Sequence, residues 1–479
     1  MRNKMKQLSL YDIYTEITAT IEEDKPLLFR RLDEHINWSE LIPARFYTAF
    51  HQRMGRPREY TLVSFMKSLV LQRIFGYTDD SLLLNTLRHS KEMREFCGFD
   101  KVPDASKLTR FKQDFLLYIA EVFERMVELT EPICREMDAE AADELIFDTT
   151  GIENYVKENN PKFMSAKLKQ AKNIAKNNPG YDPYKGVYTL LPETAEANPN
   201  VKQQYINGHF CYAQKAGILT NGLGIVRHVE LFDDDFKAKH PEMTVEKRSD
   251  NPDIDKEIGD STALLPVLRD FRETHPNLKY STFIGDSAFD SYDTYSALLG
   301  GFGFLRAVIP LNPRNSAGKP DVNFNESGVP LCPVDKTPMR YKGICAGKNR
   351  SKRLKFICPK SKAVKSIRGK TFVCQCSNPC SPSAYGRTVY VYPDRDKRLY
   401  PGIIRGSDEW ADIYKRRVSA ERSINSFKAV LGLGNRKTSN TPTTKADLFL
   451  AGIVQLLCVV LAHKLRDFSL ARRVRKFVA

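Results

Sequence analysis

The order of hydrophobic and polar positions divides the first 310 residues into two stretches. Residues 60–137 carry apolar side chains at helical spacing, and one helix is predicted to begin near Thr61 and to end at Gly76. From residue 144 the pattern changes to short apolar runs separated by turn residues and amphipathic segments. This pattern predicts a helical bundle followed by an α/β region.

The α/β region begins with "ELIFD", a short apolar run that ends in Asp148 and is typical of a buried strand. Residues 157–205 are rich in Asn, Lys and Pro and are predicted to form a long loop or partly ordered insertion. The segment 209–232 reads as two strands around the turn "TNGLG". A helix, a strand ending near Asp286, a second helix and a further strand follow, so we predict a mixed α/β sheet.

The apolar run at 448–462 is too short for a comfortable membrane span and contains Gln455, so we interpret it as a buried core helix. The first residues lack the apolar core of a signal peptide. We therefore expect a cytoplasmic protein with no membrane partner. Its ten cysteines are then expected to be reduced thiols or metal ligands rather than disulfides.

The net charge of +16 is concentrated in two segments. Residues 331–400 contain 17 basic and 3 acidic residues, and residues 464–479 contain 6 basic residues and 1 acidic residue. Such a distribution favours a polyanionic partner, nucleic acid before membrane. Arg110 and Lys112 are expected on a basic surface of the helical bundle. The bundle itself either supports the core or contacts DNA.

The segment "YKRRVSAERSINSFK" (414–428) places one acid among several bases. On a helix that advances about 100° per residue, Tyr414, Arg417, Glu421 and Lys428 lie in one narrow stripe. An adjacent stripe is apolar and contains Ile413, Ala420, Ile424, Phe427 and Leu431. The polar stripe is either a solvated face with incidental salt bridges or part of a functional site.

Asp148 and Asp286 stand at or near the ends of apolar strands, where carboxylates can converge at the edge of a sheet. Two Asp and one Glu suit Mg²⁺ or Mn²⁺, because these hard cations prefer oxygen ligands. Alternatively, each Asp caps a turn. Other acids are candidates for the same role, namely Glu153, the run 233–235, Asp290 and Asp293. The run 233–235 is best interpreted as a solvated turn.

Asp148 in "LIFDTTGIE", Asp286 in "IGDSAFDSY" and the row Tyr414, Arg417, Glu421 and Lys428 resemble the DDE transposases of prokaryotic insertion sequences. The row reproduces the spacing Tyr-x2-Arg-x3-Glu-x6-Lys of one branch, and "DASKLTRFKQDF" resembles the N-terminal helices of such enzymes. One departure is Ala288-Phe289, where that branch often has Gly-Tyr. Phe289 keeps the aromatic shape without the hydroxyl group.

The resemblance implies a ribonuclease H-like mixed sheet, with the third acid supplied by a helix packed against it. It implies that Asp148, Asp286 and Glu421 are catalytic and bind Mg²⁺ or Mn²⁺. It also implies that Arg417 and Lys428 hold DNA phosphates. Tyr414 would contact a phosphate or brace the row. The implied function is transposition: binding of element ends, cleavage, and joining of the 3′-hydroxyl to target DNA. Alternatives are a ribonuclease H-like nuclease without strand transfer and a non-catalytic DNA-binding protein. Double-stranded DNA is the expected partner, bound by a homodimer.

The expected organisation is an N-terminal helical, DNA-binding domain (1–137), a first part of the catalytic core (138–310), a basic cysteine-containing insertion (311–400), and C-terminal core helices (401–479). The insertion is expected to bind the DNA backbone. Cys332, Cys358, Cys376 and Cys380, with Cys374 as a substitute, form a candidate zinc site, although unligated thiols are the alternative. Trp410 is expected either to pack at the helix start or to stack on an unpaired base.

Overall fold

The structure, a computed structural model, describes residues 9–15, 26–51, 57–206, 209–243, 259–312, 322–347, 350–366, 369–393 and 396–478. Within these ranges the chain is a mixed α/β protein with a mixed main sheet. The predicted fold class is confirmed at that level.

Before the first strand, the regular secondary structure of the described residues is helical, as the spacing of apolar residues predicts. Thr61 and Asp79 each accept a hydrogen bond from an amide of the helix they precede, whereas Asp104 makes no side-chain hydrogen bond to the helix that follows it. The helical stretch that follows Asp104 is interrupted at Phe115, which separates two helices. The helices are α1 (Leu27–His35), α2 (Trp38–Leu41), α3 (Ala44–Phe50), α4 (Leu62–Ile74), α5 (Asp80–His89), α6 (Lys91–Cys97), α7 (Ala105–Asp114), α8 (Leu116–Met137) and α9 (Ala139–Ala142).

Lys112 is not on a basic surface, so that part of the prediction is wrong. Its side chain is fully buried, and its ammonium group lies 2.8 Å from Asp80 and 3.5 Å from Asp447. Arg436 pairs with the same two carboxylates. A buried charge is tolerated only when it is paired, and these pairs join the N-terminal helices to the C-terminal part of the chain. Arg110 is exposed, as expected.

The main sheet has the order β2-β3-β4-β1-β6-β7, and β5 also pairs with β4. β1 is antiparallel to β4 and parallel to β6, which makes the sheet mixed. β1 continues five residues beyond Asp148, so the prediction that the strand ends there is wrong. The strands are β1 (Glu144–Glu153), β2 (Thr194–Ala195), β3 (Asn198–Ile206), β4 (His209–Asn221), β5 (Val226–Leu231), β6 (Thr282–Ile284) and β7 (Arg306–Val308).

The predicted long loop at residues 157–205 is also wrong, because this segment contains helices α10 (Pro161–Asn177) and α11 (Pro183–Gly186) and strands β2 and β3. Asn160 caps α10 through the amide of Lys162, and Pro161 occupies the first turn, where its missing N–H costs nothing. The Asn and Pro residues that suggested a loop therefore mark the start of a helix.

The two faces of the sheet are covered by different helices. Leu145 and Phe147 of β1 pack with α13 (Asp260–Thr274) on one face. Ile146 of β1 packs with α15 (Asp408–Lys415) and α16 (Val418–Asn425) on the other. Two shorter helices, α12 (Asp234–Lys239) and α14 (Tyr292–Ser296), complete this region.

The C-terminal helix α17 (Thr441–Lys464) is a core helix, as predicted. By length and composition it could cross a membrane, but 89% of its most apolar window is buried inside the protein. It packs against α8 and β5, and a short helix α18 (Arg475–Val478) follows it.

The basic insertion (311–400), called the basic segment below, has a small core of its own, formed by Val329, Met339, Leu354, Phe356 and Val391. Its lysines Lys342, Lys352, Lys362 and Lys365 are exposed, which leaves their charges available to a partner. β8, β9 and β12 form one sheet, and β10 and β11 form a separate hairpin. The strands are β8 (Arg340–Gly347), β9 (Arg350–Ile357), β10 (Ser361–Ser366), β11 (Gly369–Cys374) and β12 (Thr388–Val391).

Candidate active site

The segment 414–428 is helical but not one regular helix. α15 and α16 are separated by Arg416 and Arg417, whose amides bond three residues back to Ile413 and Tyr414, both at 3.0 Å. After α16 the chain widens into a π turn (Ser426–Val430). The tighter turn overwinds the helix and the π turn underwinds it, so the segment departs from regular helical geometry on both sides of Glu421.

The apolar stripe of this segment is buried as predicted, with Ile424 only partly covered. Ile413 and Ala420 pack on Ile146 of β1 and Ile284 of β6. This packing places the helix directly over the two strands that lead to Asp148 and Asp286.

A salt bridge fixes the helix to the start of β1. Arg416 bonds the carboxylate of Glu144 at distances of 2.6–2.8 Å and that of Glu140 at 2.8 Å. Glu144 is buried. The sequence analysis missed this role of Arg416, because its partners lie about 270 residues away and no local pattern marks them.

Arg417 brings two of the predicted acids together. Its guanidinium lies 2.5 Å from Glu421 and 3.2 Å from Asp286, whereas these two acids are 135 residues apart in the chain. The Asp286 and Glu421 side chains are 48% and 49% exposed, and that of Arg417 is 20% exposed. The acids are therefore open to solvent, while the arginine is largely held in place.

Asp148 belongs to the same site. Alternate residues of a strand face the same side, so Asp148 lies on the face of β1 that carries Ile146, under the helix with Glu421. Its Oδ1 accepts a hydrogen bond of 2.8 Å from the amide of Thr149. Burial acts to lower the pKa of Arg417, but nearby negative groups that include Asp286, Asp148 and Glu421 raise it above its ordinary value.

Lys428 is close enough to Asp148 for their charges to interact. Burial lowers the pKa of its ammonium group, and the charges of Cys211, Asp148 and Glu153 oppose that shift. Tyr414 is half-buried and stacks on Trp410, with ring centroids 5.1 Å apart. Trp410 is buried, which agrees with packing at the helix start rather than with an exposed stacking platform.

Residues 16–114 match a transposase domain, DUF772. The match supports a transposase family. It covers helices α1 to α7 and ends before α8 and β1, so it does not test the acids or the Tyr-Arg-Glu-Lys row.

Other comparisons add little. No curated protein matches the chain. A solved structure described as a synaptic complex of piggyBac transposase with hairpin DNA is similar over 96% of this chain and 80% of that chain, with 10% identity and a TM-score of 0.35. A TM-score this low carries no argument about fold or chemistry.

Asp286 also caps a turn, which was the alternative role predicted for it. Its Oδ1 accepts hydrogen bonds from the amide of Ser287 at 2.5 Å and from the Ser287 hydroxyl at 3.2 Å, while Oδ2 contacts Arg417. The two roles are therefore compatible, because they use different oxygens. Phe289 is buried against Phe147, so its aromatic ring serves packing.

The competing acids have other partners or positions. Asp290 is fully buried and binds Arg398 at 2.7–3.1 Å and the hydroxyl of Tyr295 at 3.0 Å. Asp233 caps α12, with the rest of the "DDD" run in its first turn, and Asp293 lies in the first turn of α14. These contacts give the acids structural roles.

The cysteines of the basic segment lie near one another in smaller groups. The sulfur atoms of Cys358 and Cys374 are 3.9 Å apart, and Cys380 contacts Cys332. Among the described residues, these cysteines do not form a group of three or more ligand atoms within 4.8 Å of one another. The four-cysteine zinc site stays a prediction.

Proposed function

We propose that this protein is a DDE transposase that binds the ends of an insertion element, cleaves them, and joins the 3′-hydroxyl to target DNA by two-metal phosphoryl transfer. The observation that carries the proposal is the convergence of Asp286 and Glu421 on Arg417 beside Asp148. A solvated face with incidental salt bridges gives no reason for acids from a strand, from the turn after a second strand and from a helix to meet around one arginine. The transposase-domain match supports the family.

The acid cluster fits a hard divalent cation. Asp148, Asp286 and Glu421 offer only oxygen donors, as Mg²⁺ and Mn²⁺ prefer, and two of them are half-exposed and accessible to an ion. Bound divalent ions would activate the attacking oxygen and stabilise the leaving oxygen of an in-line displacement.

The chain's own bases would position the DNA. In the free protein Arg417 offsets part of the negative charge of Asp286 and Glu421, and a cation bound by these acids would supply positive charge instead. The guanidinium would then be available to grip a phosphate next to the scissile bond in a bidentate manner. Lys428, beside Asp148, would hold a second phosphate as a compact charge. Tyr414, which stacks on Trp410, would donate a hydrogen bond to the DNA backbone.

The basic segment would bind DNA away from the cut. Its exposed lysines lie on two separate β structures, the β8-β9-β12 sheet and the β10-β11 hairpin. Such contacts fix the register of a protein on a duplex without reading its sequence. A homodimer, with each copy acting on one element end, completes the proposal.

Sequencing the DNA that co-purifies with the protein would identify the element ends, and labelled duplexes with these ends then permit a combined assay of cleavage and joining. A transposase gives labelled ends cut at the 3′ side and covalently joined to a target plasmid. Cleaved ends without joined product would instead indicate a nuclease. Tight binding with neither product would indicate a DNA-binding protein and overturn the proposal.

A further inference from the structure

A second cluster of potential metal ligands lies on the main sheet, outside the acid triad. A carboxylate oxygen of Glu153, a ring nitrogen of His209 and the sulfur of Cys211 all lie within 4.8 Å of one another. It is the only such group of His, Cys, Asp or Glu among the residues that the structure describes.

The register of the sheet explains why these residues meet. Glu153, the last residue of β1, is paired with Ala213 of β4. Side chains two apart in a strand share a face, so Cys211 and His209 follow Ala213 along the face that carries Glu153. The local sequence shows only "HFC" and, 56 residues earlier, the end of a strand, so no local pattern marks Glu153 as a metal ligand.

The donor set differs chemically from that of the acid triad. One sulfur, one imidazole nitrogen and one carboxylate oxygen are typical zinc ligands, whereas Mg²⁺ is held by oxygen. Three protein ligands also leave one position of a tetrahedral ion open to water or another group. The side chains of Glu153 and His209 are 40% and 57% exposed, so an ion can reach them, while Cys211 is buried beneath.

We propose that Glu153, His209 and Cys211 bind a zinc-class divalent ion that links the end of β1 to the start of β4. On binding, the Cys211 thiol releases its proton to solvent, and the thiolate and the Glu153 carboxylate together balance the two charges of the ion. The bound site is then neutral, which suits its position near the cationic Lys428. The competing explanation is a simple ion pair, since His209 Nε2 lies 3.5 Å from Glu153 Oε2.

Cobalt titration of the full-length, reduced, chelator-treated protein tests this proposal. A thiolate ligand gives Co²⁺ an intense near-ultraviolet charge-transfer band, which the all-oxygen acid triad cannot produce. To remove the candidate metal-binding thiols of the basic segment, the titration uses a variant in which five cysteines are replaced by Ser: Cys332, Cys358, Cys374, Cys376 and Cys380. We expect one equivalent of Co²⁺ with a thiolate band in this background.

Two variants and one control decide the outcome. Cys211→Ser should abolish the band, and Glu153→Gln, a change at a partly exposed side chain, should weaken Co²⁺ binding at least tenfold. Cys345→Ser, in β8, removes a thiol outside both clusters and should change nothing. If the five-cysteine background does not fold, the same variants are compared with all other cysteines present, where Cys211→Ser should lose one metal equivalent relative to Cys345→Ser. Equal metal content and equal spectra for Cys211→Ser and Cys345→Ser would overturn the proposal.

Discussion

Replacing Arg417 by Ala separates a DNA-binding role from a purely structural one. In the free protein the side chain makes two ion pairs, at 2.5 Å with Glu421 and 3.2 Å with Asp286. Both carboxylates are half-exposed, and pairs of this kind are worth about 0–1 kcal/mol each. We therefore expect the variant to lose less than about 2 kcal/mol of folding stability and to remain folded.

The expected effect on DNA is larger. A charge-assisted contact with a phosphate is worth about 1.5–3 kcal/mol, or roughly tenfold to a hundredfold in an equilibrium constant. Cleavage should fall by about that factor at low DNA concentration and recover in part when DNA is raised. Arg417→Lys should recover only part of the activity, because it keeps the charge and loses the planar fork.

The assay measures initial cleavage rates across a DNA titration, together with Mn²⁺ binding and thermal unfolding. Mn²⁺ binding should persist or strengthen in Arg417→Ala, since the acids lose a competing cation. Arg422→Ala, at an exposed arginine of the adjoining helix α16, is the matched control and should behave like the wild type. Near-normal cleavage by Arg417→Ala at every DNA concentration would refute this reasoning and return Arg417 to a salt-bridge role.

Three further predictions concern other parts of the chain. Asp148→Asn, Asp286→Asn and Glu421→Gln should each abolish cleavage in a gel assay while leaving the circular dichroism spectrum and most DNA binding intact. Strong Mg²⁺-dependent activity in any of these variants would remove that residue from the site. Deleting residues 331–400 should lower DNA affinity and flatten its dependence on salt, because fewer counterions are released, and an unchanged slope in a binding titration would contradict this. Although burial acts to raise the pKa of Asp80, its basic partners lower that pKa to about 2, so the stability it contributes is present above about pH 4 and is lost as pH falls through 2. The difference in unfolding free energy between the wild type and Asp80→Asn should therefore shrink by about 2 kcal/mol between pH 5 and pH 2, and a constant difference in urea titrations would argue against it.

The sequence predicts well those features that depend on local periodicity. The helix starting after Thr61, the strand pair around "TNGLG" and the buried helix α17 follow from spacing, turn chemistry and apolar content, and all three are present. The acid row also follows from helical spacing, although the chain tightens at Arg417 and widens after Asn425. Periodicity reports the direction of a side chain and does not register such local changes in winding.

The errors arise where long-range contacts decide. The sequence around Lys112 suggests a surface base, but ion pairs with two carboxylates from other helices stabilise its buried charge. β1 extends beyond Asp148 because β4 pairs with it as far as Glu153, regardless of the polar residues in between. The contacts of Arg416 with Glu144 and of Glu153 with His209 likewise depend on sheet register, which a single sequence does not reveal.

The most direct test of the central claim is whether the acids hold the catalytic cation. Asp148→Cys and Asp286→Cys replace an oxygen ligand by sulfur, which binds Mg²⁺ poorly and Mn²⁺ better. Cleavage of labelled element ends by each variant is measured in Mg²⁺ and in Mn²⁺, with Asp293→Cys as a control at an acid outside the cluster. The account predicts loss of cleavage in Mg²⁺ and partial recovery in Mn²⁺ for the two site variants, and normal cleavage in both ions for the control. Full activity of Asp148→Cys or Asp286→Cys in Mg²⁺, or no recovery in Mn²⁺ despite intact DNA binding, would contradict it.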